Sequence, residues 1–516
     1  MTDPTTHPTA LHTAGSVDDR PAKARPRDWA ALVVLMLPVL LVSIDNTVLS
    51  FALPAISLEF ATSGIMLLWI VDAYPLVLAG LLVAMGSLGD RFGRRRMLMI
   101  GAIGFGVLSV VAAMSESAGS LVAARAGLGF FGAMLMPSTL SLLRNIFLDR
   151  NQRRLALAIW ASGFAAGSAL GPIVGGVLIE SFGWPSVFLL AVPMLALMLA
   201  FTPIFLPESR DPNPGPVDPV SVVLSMATLF PIVFAIKSFA THGFGVAVAA
   251  GLIVATASGI WFVRRQLARP VPMLDVRLFA YAPFSGAVLV NLLAVFSLTG
   301  FLYFGSQHLQ LVLGLGPIQS GMLLLPGLVV MIVAGLTVVK VVRRVPARVV
   351  VAASLLLSAV GYGMIAVVGN GTSGIALAMA FAVLSAGIGA SETLSNDIIV
   401  SAVPAEKAGS ASGISETAYE VGAVFGTAVL GSILAFSYRG AIDVPDGLTA
   451  AEQSTASETL GGAISVAGDL PAPIATQLID SARHAFDSGI VTTAGIGAVL
   501  MIAASCLAWR TLKHAK

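Results

Sequence analysis

Gly86-Ser87-Leu88-Gly89-Asp90-Arg91-Phe92-Gly93-Arg94-Arg95-Arg96 sets five charges between two apolar runs, near residues 65–88 and 96–114. Each run has the ~20 apolar residues that crossing a ~30 Å hydrocarbon core requires. A short basic turn between two such runs is a topology signal, since Lys and Arg accumulate on the cytoplasmic side. The stretch predicts two membrane helices joined by a cytoplasmic loop.

Applied outward in both directions, the same rule predicts fourteen spans. They fall near 30–52, 65–88, 96–114, 120–143, 155–179, 187–206, 219–236, 244–263, 282–304, 317–340, 347–369, 375–401, 411–436 and 488–509. An even number places both termini on one side. With that side inside, 25 of the 29 Lys and Arg lie at or beyond cytoplasmic helix ends. Lys237, Arg439 and Arg483 are then external, and Arg125 sits within a span. Both termini are expected to be cytoplasmic.

Composition agrees. Of 516 residues 57% are hydrophobic and only 11% charged, against roughly 25% charged in soluble domains; mean hydropathy is +0.91. Lipid must be the solvent for most of the chain. The pI near 8.8 comes from short basic clusters, with no basic domain, so nucleic acid is not an expected partner. A single cysteine, Cys506, excludes internal disulfides and cysteine-based metal sites. No nucleotide loop, metal-ligand cluster or Ser/His/Asp arrangement appears, and no metal, cofactor or enzymatic activity is expected. Residues 1–28 form a polar tail, expected to be disordered, and the first span is too long for a signal-peptide core. Segment 437–487, with Asp443, Asp446, Glu452, Glu458, Asp469, Asp480 and Asp487, is too polar to span. It either folds back over the external mouth or is a solvated spacer.

Ionisable groups inside spans cost ~2.5–3.5 kcal/mol each on the lenient insertion scale. Asp45, Asp72, Arg125, Glu392, Glu416 and Glu420 are in this position, with Asp397 at the headgroups. Counting 1.5 Å per residue, Asp45 lies roughly 20 Å up an outgoing helix. Asp72 and Arg125 each lie roughly 10 Å below the outer surface. Asp45 and Arg125 can therefore pair, either as a fixed strut between helices or as a pair broken and remade with each proton. Asp72 has no obvious partner, and Trp69 lies one turn away on its face. A carboxylate beside an indole can hold a cation by Coulomb and cation–π attraction; the alternative is an inert, protonated core carboxyl. Glu416 and Glu420 share a helix face at i,i+4, with Tyr419 adjacent. Two such carboxyls repel when ionised, which suits a shared proton; the alternative is a solvated cavity wall.

The quoted loop, Gly86 to Arg96 with Asp90, Arg91, Gly93 and Arg94, resembles the motif that major facilitator superfamily transporters carry between helices 2 and 3. Leu121-Val-Ala-Ala-Arg125-Ala-Gly-Leu-Gly129 resembles the family's helix 4 motif with its intramembrane Arg, with Leu128 where Gln is usual. Gly167-Ser-Ala-Leu-Gly171-Pro172-Ile-Val-Gly175-Gly176 resembles the helix 5 motif of antiporters, and close helix packing alone also accounts for its glycines. Asp45-Asn-Thr-Val-Leu-Ser-Phe-Ala-Leu-Pro54 resembles the helix 1 motif of the fourteen-span drug:proton antiporters. Leu68-Trp69-Ile-Val-Asp72-Ala-Tyr74 is similar to quaternary-ammonium exporters of that group.

The resemblance implies an all-α membrane protein of the inner (plasma) membrane with the major facilitator fold. Residues 29–206 and 281–509 would form two six-helix bundles, with helices 7 and 8 between them in 207–280 and a short cytoplasmic tail in 510–516. It implies a monomeric proton-coupled exporter of lipophilic cationic drugs, driven by the proton gradient, working by alternating access. Asp45, Arg125, Glu416 and Glu420 would couple protons. Asp72, Trp69, Tyr74, Glu416, Tyr419 and Glu420 would bind substrate. Asp90 would latch the cytoplasmic gate with Arg91 or Arg94 beside Gly93. The alternative is proton-coupled export of a neutral or anionic metabolite, lipid or antibiotic.

Overall fold

A segment in hydrocarbon must satisfy its backbone N–H and C=O groups internally, and every apolar run does so as an α-helix. The computed structural model describes residues 23–211, 217–369, 371–403 and 408–514. Fourteen of the described helices are long and apolar enough to cross a membrane. The first six are α1 (Pro26–Phe60), α2 (Gly64–Phe92), α3 (Arg94–Ala113), α4 (Ala118–Ile146), α5 (Arg150–Phe182) and α6 (Ser186–Phe205). The next two are α7 (Pro219–His242) and α8 (Val246–Ala268). Then come α9 (Ala282–Val312), α10 (Pro317–Val341), α11 (Ala347–Val368), α12 (Gly374–Ser401) and α13 (Ala411–Ala441). Two short helices, α14 (Ala450–Glu458) and α15 (Leu460–Ala467), precede the last span, α16 (Ala472–Thr511).

Helix ends follow local chemistry. Ser63, Ser117 and Ser373 cap α2, α4 and α12 by accepting from backbone N–H groups of the first turn, the usual task of a short hydroxyl there. Between α2 and α3 the chain turns at Gly93 with φ +116°, a conformation open to glycine and strained for other residues.

Helices α1–α6 pack among themselves, as do α9–α13 with α16, and α7 pairs with α8. The α7 helix lies along α2, where Met226 presses on Gly80 and the Ser225 hydroxyl reaches the Gly80 carbonyl. The α8 helix is mostly lipid-facing, with Val246, Ile253 and Trp261 exposed.

One face of the molecule carries Arg94–Arg96 and Arg343–Arg344, and is called here the basic face. On the opposite, far face the two halves touch closely. Ser306 of α9 donates to the Ser50 carbonyl of α1 at 2.6 Å, and Gln310 to the Phe51 carbonyl at 3.1 Å. A side chain at Gly321 of α10 would bring its Cβ within 2.5 Å of the Pro172 carbonyl oxygen of α5. Gly431 of α13 meets Leu68 of α2.

The acidic segment is folded, not a spacer. α13 continues to Ala441, α14 and α15 follow, and α16 begins at Ala472, so α16 is about 60 Å long at 1.5 Å per residue. Gly461 packs on Ser57 of α1, Gly64 of α2 meets Thr459, and the Tyr438 hydroxyl donates to the Ala456 carbonyl. The segment thus covers the far ends of the first two helices. Asp487, read above as part of that polar segment, is buried in α16 against His308 at 3.0 Å.

The seventh span is also longer than its apolar run. Lys237, expected beyond the helix on the outside, lies inside α7 and is 1% exposed. The expectation failed because hydropathy ended the span at 236, one residue short of a lysine that finds a carboxylate in the protein interior.

Candidate functional site

The first cluster joins α1 to α4. Arg125 Nη1 stands 2.7 Å from Asp45 Oδ2, and its Nε donates to the Ile70 carbonyl at 3.2 Å. The Tyr74 ring lies 4.7 Å from the guanidinium carbon and meets Phe105 edge-on at 6.2 Å. Arg125 and Asp45 are both buried. Here the guanidinium is matched by one carboxylate, one carbonyl and one aromatic face, as a buried arginine requires. Similar depth along α1 and α4 already allows this pairing from sequence. Tyr74, grouped above with substrate-binding residues, has a different place: it is fully buried beneath Arg125, against Gly132 and Phe105.

The second cluster corrects the sequence reading. Asp72 has a partner: Lys237 Nζ of α7 lies 2.7 Å from its Oδ2. The same ammonium sits 3.8 Å over the Trp69 ring, which stacks on Phe230 at 6.4 Å. Thr427, the first residue of a π-turn in α13, donates to Asp72 Oδ1. A carboxylate and an indole do hold a cation there, and that cation belongs to the chain. No sequence window could pair the two, since α2 and α7 meet only through tertiary packing. The lysine four residues after Val233, on the α7 face whose apolar residues are buried, was the one available signal.

On α13, Glu420 is buried and Glu416 half-buried. Glu420 Oε2 has no hydrogen-bond partner among the described residues. Glu420 lies within electrostatic reach of Glu416 and of both members of the Asp45–Arg125 pair. Tyr419 and Glu392 are half-buried nearby, and Tyr419 lies within electrostatic reach of both Glu392 and Glu420. Asp397 is exposed. Asn291, which the sequence reading did not single out, donates to the Ser415 carbonyl and hydroxyl next to Glu416. One acid of the second half, Glu420, therefore lies within electrostatic reach of the ion pair of the first.

At the basic face, Asp90 Oδ1 pairs with Arg94, at 2.7 Å from Nη2 and 2.9 Å from Nε. Arg91 is exposed and is not the partner. The pair is anchored to the segment after α6: Arg94 Nη1 reaches Ser209, and the Asp211 N–H reaches the Asp90 carbonyl. Glu208, missed from sequence, accepts from the Arg95 backbone at 3.1 Å and pairs with Arg96 at 3.7 Å. A carboxylate at the start of α3 is stabilised by the free N–H groups there. A Cβ on Gly93 would come within 2.7 Å of Glu208. The α7–α8 hairpin has its own clamp, also missed: Asp218 accepts from Arg265 at 2.9 and 3.0 Å and faces Arg269 at 3.3 Å. The Arg265 hydrogen bonds hold the Asp218 carboxyl well below the usual carboxylate range.

The helix 5 glycines make a groove for α1. Gly167 faces Ser43, Gly171 faces Thr47 and Gly175 faces Val48. A Cβ at Gly171 would lie 1.9 Å from the Thr47 hydroxyl, and one at Gly176 would lie 2.8 Å from Ile318 of α10. With Pro172 against Gly321, the motif joins α5 to its own half and to the other one.

The family model of the Major Facilitator Superfamily matches residues 35–427. The "Multidrug efflux pump LfrA" of Mycolicibacterium smegmatis is 57% identical, over 93% of this chain and 95% of its own length. The "Methyl viologen resistance protein SmvA" of Salmonella typhimurium is 35% identical, over 95% of this chain and 99% of its own. Among solved structures, a bacterial homologue of the lysosomal transporter Spinster in an inward-facing, unoccupied conformation superposes with a TM-score of 0.66. That match covers 95% of this chain and 98% of the other at 17% identity, which speaks for the fold alone. With its fourteen spans and this relationship, the chain is a multi-pass cell-membrane transporter, not an enzyme, and it belongs to the major facilitator superfamily.

Proposed function

We propose that the chain exports lipophilic organic cations, drugs among them, in exchange for protons by alternating access. The observation that carries this reading is Glu420 of α13, buried, without a hydrogen-bond partner among the described residues, and within electrostatic reach of Glu416 and of the Asp45–Arg125 pair of the other half. Carboxyls of graded exposure across the seam between halves can exchange a proton for a cation as that seam opens and closes. The close far-face contacts support an arrangement awaiting substrate from the basic face, which the positive-inside rule assigns to the cytoplasm. Relatives named for multidrug efflux and methyl viologen resistance support drug export, and methyl viologen is itself a dication.

Export of an anion is the weaker reading. Arg125 and Lys237 are each neutralised by a carboxylate, so neither offers a free positive charge. No bound cofactor is needed under this proposal. The proton gradient supplies the energy, and any net charge moved adds ~2.3 kcal/mol per 100 mV. A single chain holds every group invoked, consistent with a working monomer. The test is efflux of ethidium from cells expressing the protein, with and without a protonophore. Efflux that persists after the proton gradient collapses, or no efflux of any organic cation, overturns the reading.

A further inference from the structure

Lys237 stands little more than one turn from the end of α7, where three parts of the molecule meet. Its ammonium touches Asp72 and Trp69 of the first half, and the same carboxylate accepts from Thr427 of the second. Both charged side chains are sealed, at 1% and 0% exposure. Leu76, Val233, Val424 and Ala428 form a buried apolar cluster around the same seam, with Phe230 and Phe425 packed on it. A carboxylate with an indole face at this distance is a receptor for an organic cation, and in this structure the chain fills it.

We propose that Lys237 is a tethered cation, that a transported cation must displace it from Asp72 and Trp69, and that the displaced lysine then releases its proton. This rests on the cation-export reading above. Before displacement the seam holds one carboxylate and one ammonium. Afterwards it holds the carboxylate, one monovalent organic cation and a neutral amine, while one proton leaves to water. The seam stays neutral throughout, because an uncompensated charge in an apolar site is disfavoured. Protonating the amine again from the far side ejects the cation, so one cation exchanges for one proton while Asp72 remains ionised.

The surrounding charges leave Asp72 as the partner that decides. Among the described residues it is the carboxylate in contact with Lys237. On α7 itself His242 lies at the far end. On α8 the sequence is uncharged until Arg264 and Arg265, at the basic end. On α13 Glu420 lies two turns toward the basic face from Thr427. Arg125 of α4 acts on Asp72 from a distance and is held by Asp45; Tyr303 of α9 feels the Asp72 charge. Arg439, paired with Glu458, caps the far end of α7 through the Ala240 carbonyl.

The tether also sets specificity. A lysine ammonium has both charge and hydrogen bonds to offer Asp72. A quaternary cation has no N–H and competes through aromatic contact and weak hydration, so large lipophilic cations can win where small hydrated ones such as potassium cannot.

The experiment is calorimetric binding of tetraphenylphosphonium to the purified full chain in two buffers of different ionisation enthalpy, which counts protons released. Lys237→Met and Lys237→Gln remove the tether; the glutamine keeps a hydrogen bond for Asp72 and guards against misfolding of the methionine variant. Both should bind at least about tenfold tighter at pH 7, with fewer protons released than wild type. Lys237→Arg keeps the ion pair and hence the fold, but its guanidinium does not deprotonate. It should bind at least about tenfold weaker and also lose release. Wild-type affinity and proton count in all three variants would overturn the tether while leaving cation export standing. A wild-type protein that binds and exports no organic cation would instead overturn the export reading.

Discussion

Lys237 Nζ lies 2.7 Å from Asp72 Oδ2, so the acid that sequence left without a partner is neutralised by the linker helix between the two halves. Asp72→Asn therefore breaks a buried ion pair. The variant leaves a buried ammonium unpaired, and breaking one side of such a pair costs ~3–5 kcal/mol. Purified Asp72→Asn should melt well below wild type, and Asp72→Asn combined with Lys237→Met should recover most of the loss. Equal melting of the single and double variants would show that the pair carries no structural weight.

Arg125→Ala should be the most damaging change in α4. It strands Asp45 and removes the cation over Tyr74, again at a cost of ~3–5 kcal/mol. Asp45→Asn leaves the carbonyl and ring contacts of Arg125 in place and should fold better while abolishing proton-driven efflux. Membrane abundance measured beside ethidium efflux separates the two effects.

Single neutralisation of Glu416 or Glu420 should weaken a dication such as methyl viologen by about tenfold or more, and a monovalent dye by less. A second positive charge needs a second carboxylate, and these two lie one helical turn apart. Equilibrium binding of both ligand types to Glu416→Gln and Glu420→Gln decides it. Equal weakening for the two would mean the acids merely line a wet cavity.

Asp90→Asn should lower maximal efflux about fivefold, roughly 1 kcal/mol of barrier, with the apparent substrate affinity unchanged, because the Asp90–Arg94–Ser209 cluster lies away from Asp72 and Glu420. Gly93→Ala should fail at folding instead. Its φ of +116° strains any residue but glycine, and an added methyl group would push the Glu208 carboxylate off the Arg95 backbone N–H. Initial efflux rates and detergent-extractable yield check the two variants.

Asp218, held low by Arg265, gives a pH forecast. A carboxyl whose folded value lies below its unfolded value of about 3.8 stabilises the fold above that value and loses this as pH falls further. The α7–α8 clamp should therefore be constant between pH 5 and 8. Asp218→Asn should lower the melting temperature by the same amount across that window; a deficit that varies within it would assign the clamp to another group.

The spans were legible in the sequence because crossing a bilayer is a local condition: twenty apolar residues meet it without reference to the rest of the chain. The basic loops were legible for the same reason. Asp45 and Arg125 could be paired because depth along two helices is arithmetic. Depth does not say which helices touch. Lys237 stood one residue past an apolar run and looked external, and Asp72 looked alone, until the packing of α7 into the seam between α2 and α13 joined them. The acidic segment likewise seemed a spacer or a lid on composition alone, and its contacts with Ser57 and Gly64 made it a lid. Apolar length fixes where a helix lies in the membrane, whereas the partner of a buried charge depends on which distant helix supplies the opposite one. Only the folded chain decides that.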